Sequence, residues 1–204
     1  MDILISFVLA VSLLAISPGP DNVFVLMQSV IYGKKYGLAT ITGLMTGCII
    51  HTLLLAVGIS SLIKNNTFIF LGIKLLGAVY LLYLAYTVFK SSSVISISTD
   101  KIEKKTPIQL FKIGFIMNVL NPKVTLFFLA LFPGFLFTER LSISHQFLVL
   151  GALFIVVSFV VFSCIALLGG TISEKIKTSK HISIWLKWIQ IFVFIGIACI
   201  VVLV

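Results

Sequence analysis

Two ionisable side chains sit where a lipid-crossing chain should carry none. Asp21 lies in "LLAISPGPDNVFVL", residues 13–26, and Lys123 in "NVLNPKVT", residues 118–125; apolar blocks flank both. A charged side chain at the centre of an apolar helix costs at least about 3 kcal/mol on insertion scales, and such residues generally mark ion or substrate pathways. Opposite charges across a cavity suit a zwitterion. Asp21 can receive an ammonium group or take up a proton. Lys123, or the positive end of a half-helix, can receive a carboxylate. The competing reading is a structural salt bridge between them, and the two are compatible: a pair that opens to admit substrate is a switch.

The residues around each charge are helix breakers. Ser17, Pro18, Gly19 and Pro20 precede Asp21, and Asn22 follows it; Asn118, Asn121 and Pro122 precede Lys123, and Thr125 follows it. Proline removes a backbone donor and clashes with the preceding turn, and glycine tolerates unusual backbone angles. Backbone groups freed at membrane depth are tolerated only where they face protein or a watery cavity. Two such breaks are therefore expected to line a polar site near the midplane. Ser17, Asn22, Asn118, Asn121 and Thr125 are candidates for hydrogen bonds to a substrate. For each alone, a plain helix–helix hydrogen bond is an equal alternative.

The elements that must hold these residues follow from composition. The chain has 204 residues, 60% hydrophobic and 10% charged, with a mean hydropathy of +1.23. Soluble domains are nearer half apolar and a quarter charged, and so short a chain cannot hide that much apolar surface from water. The fold class expected is all-α: a polytopic membrane protein with six transmembrane helices in one domain spanning 1–204. A span needs about 20 residues. The apolar blocks run over 3–31, 38–63, 67–89, 110–137, 147–170 and 184–204. The first and fourth are longer than a straight helix requires, and they carry the breaks.

The net charge of +9 arises from 15 Lys+Arg against 6 Asp+Glu. The lysines gather in the polar gaps, which argues for membrane loops over nucleic-acid binding. Lys34 and Lys35 follow the first block; Lys90, Lys101, Lys104 and Lys105 follow the third; Lys175, Lys177 and Lys180 follow the fifth. The opposite side has Lys64 and Arg140. Positive loops stay inside, so both termini are expected outside. The serine-rich segment 90–109 reads as a flexible cytoplasmic linker. It separates three-helix halves, 1–89 and 110–204. An odd number of crossings starts the second half on the opposite face, so similar halves would form an inverted repeat. The breaks occupy comparable depths in the two halves, and Lys74 and Lys187 each fall near the start of a third span.

Other residues take plainer readings. Cys48, Cys164 and Cys199 lie in apolar runs without a CxxC and read as small hydrophobes. "MDILISFVLAV" lacks a basic start and is expected to be mature protein rather than a cleaved leader. Gly43 and Gly47 form a GxxxG that favours close helix contact. His51, one turn further, reads as a buried structural histidine before a proton relay. Lys74 reads as snorkelling, and Trp185, Trp188 and Tyr36 as interfacial anchors. No Ser-His-Asp set, HExxH, P-loop or GxGxxG occurs. Neither an enzyme, a bound cofactor or metal, nor a self-contained ATP-driven pump is expected.

With these residues in view, the chain resembles the bacterial LysE/RhtB family of amino-acid exporters, which includes lysine and homoserine/threonine efflux proteins. The resemblance rests on "SPGPDN" (17–22), "GKKYGLATITGLMTG" (33–47), "LGAVYLLYLAY" (76–86, with Gly77 and Tyr80) and "GFIMNVLNPKVTLFFLALFPGFL" (114–136). It implies a multi-pass protein of the bacterial inner membrane that exports amino acids against a flow of protons, and it admits a homodimer. By motif position, Pro18, Gly19, Pro20, Asp21, Asn121, Pro122 and Lys123 match the family's characteristic residues. The expected partners are an amino-acid substrate, protons and the lipid bilayer, with no nucleic acid.

Three alternatives differ in chemistry. A metal-cation exporter would want several carboxylates, thiolates or imidazoles converging, and Asp21 stands alone at the breaks. A membrane thiol-disulfide relay would need two cysteines able to meet across the halves, and neither break contains one. A non-transporting scaffold would need no charged, broken helices.

Overall fold

The computed structural model describes residues 2–17, 19–60, 67–90, 105–169 and 180–203, and within these it is helical without strands. The elements are α1 (Asp2–Ile16), α2 (Pro20–Tyr32), α3 (Lys34–Leu54), α4 (Thr67–Lys90), α5 (Pro107–Val119), α6 (Pro122–Leu131), α7 (Ile143–Leu167) and α8 (Lys180–Leu203). A π-turn, Leu55–Ile59, extends α3, and a 3₁₀ turn, Phe132–Phe135, extends α6.

Lys34–Gly58, Leu71–Lys90 and Ile143–Leu167 are each long and apolar enough to cross a membrane. The first and fourth blocks are bent pairs, as their prolines require: α1 and α2 meet at 61°, α5 and α6 at 51°. Counting each pair as one span gives up to five among the described residues. The apolar stretch of α8, Lys187–Val202, is shorter.

Three of the helices that start earlier than their apolar blocks do so for a local reason. Between α2 and α3 the chain turns on Gly33 alone, at φ 98°, a backbone region open mainly to glycine. The polar gap after the first block thus shrinks to one residue, and Lys34 and Lys35 form the first turn of α3. Thr106 and Gln109 form a reciprocal capping box before Pro107, so α5 begins at 107 rather than 110. Ser142 Oγ accepts from His145 N at 3.3 Å and starts α7 ahead of residue 147. Linker residues 91–104 lie outside the described residues.

Small residues set which helices touch. A Cβ at Gly43 would strike the Phe111 carbonyl, one at Gly114 the Thr40 carbonyl, and one at Gly47 the Asn118 side chain. The GxxxG of α3 is therefore a backbone-to-backbone seam with α5. Gly151 admits Thr52 between α7 and α3, and Gly77 admits Ala130 between α4 and α6. Helix α4 lies along α8, and α7 covers α1 and α2. A phenylalanine core fills the space beside the breaks: Phe128 stacks on Phe132 at 4.2 Å, Phe154 meets Phe128 at 4.7 Å, and Phe7 meets Phe132 and Phe135 at 5.2 Å. Large apolar side chains line the outside, among them Leu76, Val79, Val156 and Phe192. Lipid is the solvent that tolerates such a surface.

Candidate functional site

Side chains satisfy part of the backbone that each break frees. At the first, α1 ends at Ile16 and Asn22 Nδ2 reaches back to donate to the Ala15 carbonyl at 2.6 Å. Gly19 is the extended N-cap of α2, and no side chain caps that end. At the second, α5 ends at Val119. The Asn118 carbonyl accepts from Asn121 N at 3.0 Å and from His51 Nε2 at 3.2 Å. A carbonyl only accepts, so His51 carries its hydrogen on Nε2 in this contact. Asn121 Oδ1 accepts from Lys123 N at 3.0 Å and caps α6. His51 is thus buried and hydrogen-bonded, with its ring near Phe128.

The two breaks meet. Asn121 Nδ2 donates to Asp21 Oδ2 at 2.8 Å, a contact 100 residues apart in the chain. A Cβ on Gly19 would lie 3.5 Å from Lys123 Nζ, an ordinary contact distance, so the ammonium of the second break lies against the first. Lys123 Nζ also lies 5.1 Å from the centroid of Phe194, within cation–π range. Asp21 and Lys123 attract each other through space, yet no direct ion pair joins them among the described residues. Asn121 links the Asp21 carboxylate to the backbone N–H of Lys123, not to its ammonium. Asp21 occupies the first turn of α2, where the helix dipole favours an anion; Lys123, in the first turn of α6, is at the wrong end for a cation. Helix stability alone does not account for a lysine there.

Asp21, Asn22, Asn118 and Lys123 line a cavity of about 40 Å³ together with apolar residues, among them Leu44 and Phe154. A void that size holds about one water. Gly19, Asp21, Asn22, Asn118, Asn121 and Lys123 thus gather at one place. Pro20 and Pro122 open their helices and point outward. Ser17 is fully buried, its Oγ without a hydrogen-bond partner among the described residues and away from the cavity wall. Thr125 gives its hydroxyl to the Asn121 carbonyl at 3.1 Å. Pro18 lies outside the described residues. Lys74 is buried rather than snorkelling.

Two neighbours went unread in the sequence. Cys48 lines the cavity, with Asn118 Nδ2 3.4 Å from its Sγ; its place next to Gly47 on the seam is the only sequence signal. Phe194, beneath Lys123, belongs to an apolar run with none. A much larger hollow, about 790 Å³, lies along loop 136–142 beside Ser60 and Gln146. Among the described residues it brings no opposed charges together, so chemistry rather than volume points to the site at the breaks. Among the described residues no three His, Cys, Asp or Glu side chains converge as a metal site would need.

The chain is 32% identical over 176 residues to a homoserine/homoserine lactone efflux protein of Salmonella typhimurium, covering 86% of this chain and 84% of the relative. The Salmonella typhi protein of the same name matches equally. An uncharacterized membrane protein of Bacillus subtilis, YrhP, is 27% identical over 195 residues, 92% of each chain. No solved structure matches. Residues 12–203 match the LysE type translocator family, and the chain belongs to that family.

Proposed function

We propose that this protein exports a small amino acid or amino-acid derivative from the cytoplasm in exchange for protons, through the junction of its two broken helices. One observation carries the reading: an acid from one half and a base from the other face a single cavity, with Asn121 hydrogen-bonded to the acid. Together they balance a zwitterion. Asp21 takes the ammonium group, and Lys123 with the N-terminus of α6 takes the carboxylate. Once the substrate leaves, a proton on Asp21 neutralises the same carboxylate, which couples the two flows. The void in this state is too small for an amino acid, so binding requires the breaks to part.

The family and the efflux relatives support the substrate class. The helix contacts support inverted repeats, 1–89 and 110–204, joined by a linker at 90–109: α3 lies against α7 and α4 against α8, the self-pairings a two-fold axis in the membrane plane would create. On this reading α8 is the sixth span, the lysine-rich gaps face the cytoplasm, and both termini lie outside the bacterial inner membrane.

The test is uptake and counterflow of labelled homoserine, threonine and lysine in proteoliposomes under an imposed pH gradient. Wild-type protein moves at least one of them and responds to the gradient. Asp21→Asn and Lys123→Met stop movement while staying monodisperse in detergent. Unchanged transport in both variants would remove the site, and no movement of any amino acid by wild type would remove the function.

A further inference from the structure

A second constellation lies away from the breaks, where the end of α4 meets α8. Lys187 Nζ donates to the Phe89 carbonyl at 2.7 Å and stands 5.8 Å from the Phe89 ring. The next residue, Lys90, places its Nζ 5.1 Å from the Tyr86 ring. Trp188 meets Phe89 edge-on at 6.2 Å. Tyr86, Phe89 and Trp188 are 54%, 55% and 43% exposed. Two ammonium groups thus share one helix end, surrounded by exposed aromatic rings. The end of a helix carries about half a negative charge, which draws ammonium groups to it.

Further along the same pair of helices runs an apolar groove of about 280 Å³, lined by Ala78, Leu82, Ala198, Cys199 and Val202. Helical spacing puts it on the same face as the lysines' aromatic neighbours. Ala78, Leu82 and Phe89 follow at intervals of four and seven; Trp188, Ile195, Cys199 and Val202 follow at seven, four and three. At 1.5 Å per residue the groove begins about 10 Å from Phe89 and reaches about 16 Å. That depth lies inside the hydrocarbon layer if the lysines sit at headgroup level.

We infer that the α4–α8 face binds an anionic phospholipid: Lys90 and Lys187 hold the phosphate, Tyr86, Phe89 and Trp188 flank the glycerol level, and one acyl chain occupies the groove. The charge selects an anionic lipid over a neutral one, and the adjoining apolar groove selects a lipid over free phosphate. Aromatic rings beside cations are the usual dress of a membrane interface. This site is independent of the substrate reading.

Native mass spectrometry of the delipidated chain in detergent tests it, with equal amounts of phosphatidylglycerol and phosphatidylcholine of matched acyl chains. Wild type retains phosphatidylglycerol preferentially, by about fivefold for each lysine engaged. Lys90→Gln loses about one such factor, and Lys90→Gln with Lys187→Gln abolishes the preference. Lys34→Gln with Lys35→Gln, at another basic segment, leaves it intact. Cys199→Phe, which fills the groove, lowers retention of both lipids. Soluble glycerol phosphate does not compete. Equal retention of the two lipids by wild type overturns the proposal, as does an undiminished preference in the double lysine variant or effective competition by glycerol phosphate. Should Lys187→Gln fail to fold, the single Lys90 variant decides.

Discussion

Where α3 meets α5, backbone touches backbone; where α2 meets α6, a cavity remains. The first contact leaves no room for a single carbon at Gly43 or Gly114. The second leaves about 40 Å³ among an acid, a base and two amides. Both contacts join the halves, so the contrast is one of purpose. Tight apolar contact fixes the frame, because in lipid it is helix-to-helix fit that holds helices together. The polar junction accepts poorer contact and a buried charge of each sign, a cost for which the proposed substrate site would account.

Substitutions can pull these two regions apart. The largest effect is expected from Gly43→Leu, whose side chain meets main chain that cannot yield. We expect a loss of about 3 kcal/mol or more, seen as lost monodisperse yield and a lower melting midpoint. Gly196→Ala is the control, since a Cβ there meets nothing within 4 Å, and it should melt like wild type. Asn121→Ala comes next and acts on the junction alone. Losing a hydrogen bond to a charged group costs about 1.5–3 kcal/mol and losing the cap of α6 about 1 kcal/mol, so the variant should melt earlier than wild type yet stay monodisperse, while efflux per folded protein falls about tenfold or more. Equal damage to folding and transport would erase the distinction between seam and junction. The smallest effect belongs to His51→Ala. The Asn118 carbonyl would keep its contact with Asn121 and lose about 1 kcal/mol. His51→Gln should recover part of the melting loss, and no recovery would mean that bulk, not the hydrogen bond, was what mattered.

The breaks were legible because proline, glycine and a charge stand out against an apolar background, and nothing else in the chain resembles "SPGPDN" or "NPK". The GxxxG was legible for the same reason, since 3.6-residue periodicity turns Gly43 and Gly47 to one face. The early helix starts were not, because apolar blocks report burial while caps such as Thr106 and Ser142 report hydrogen bonding. Contacts between distant segments were hidden as well. Phe194 is one of eighteen phenylalanines, and nothing local marks it as the ring beneath Lys123. Gln146 is buried and binds Phe137 N at 2.7 Å and the Thr138 carbonyl at 2.7 Å; a glutamine at a helix start reads equally well as a solvated one.

The hinge at Gly33 carries a mechanical corollary. Helix α2 has 13 residues and measures about 20 Å at 1.5 Å per residue. Ser29 nests on Gly37 beside that corner, so the near end of the rod is pinned while Asp21 rides at the far tip. By leverage, a tilt of about ten degrees around such a pivot sweeps the carboxylate through about 3 Å, roughly the reach of one hydrogen bond.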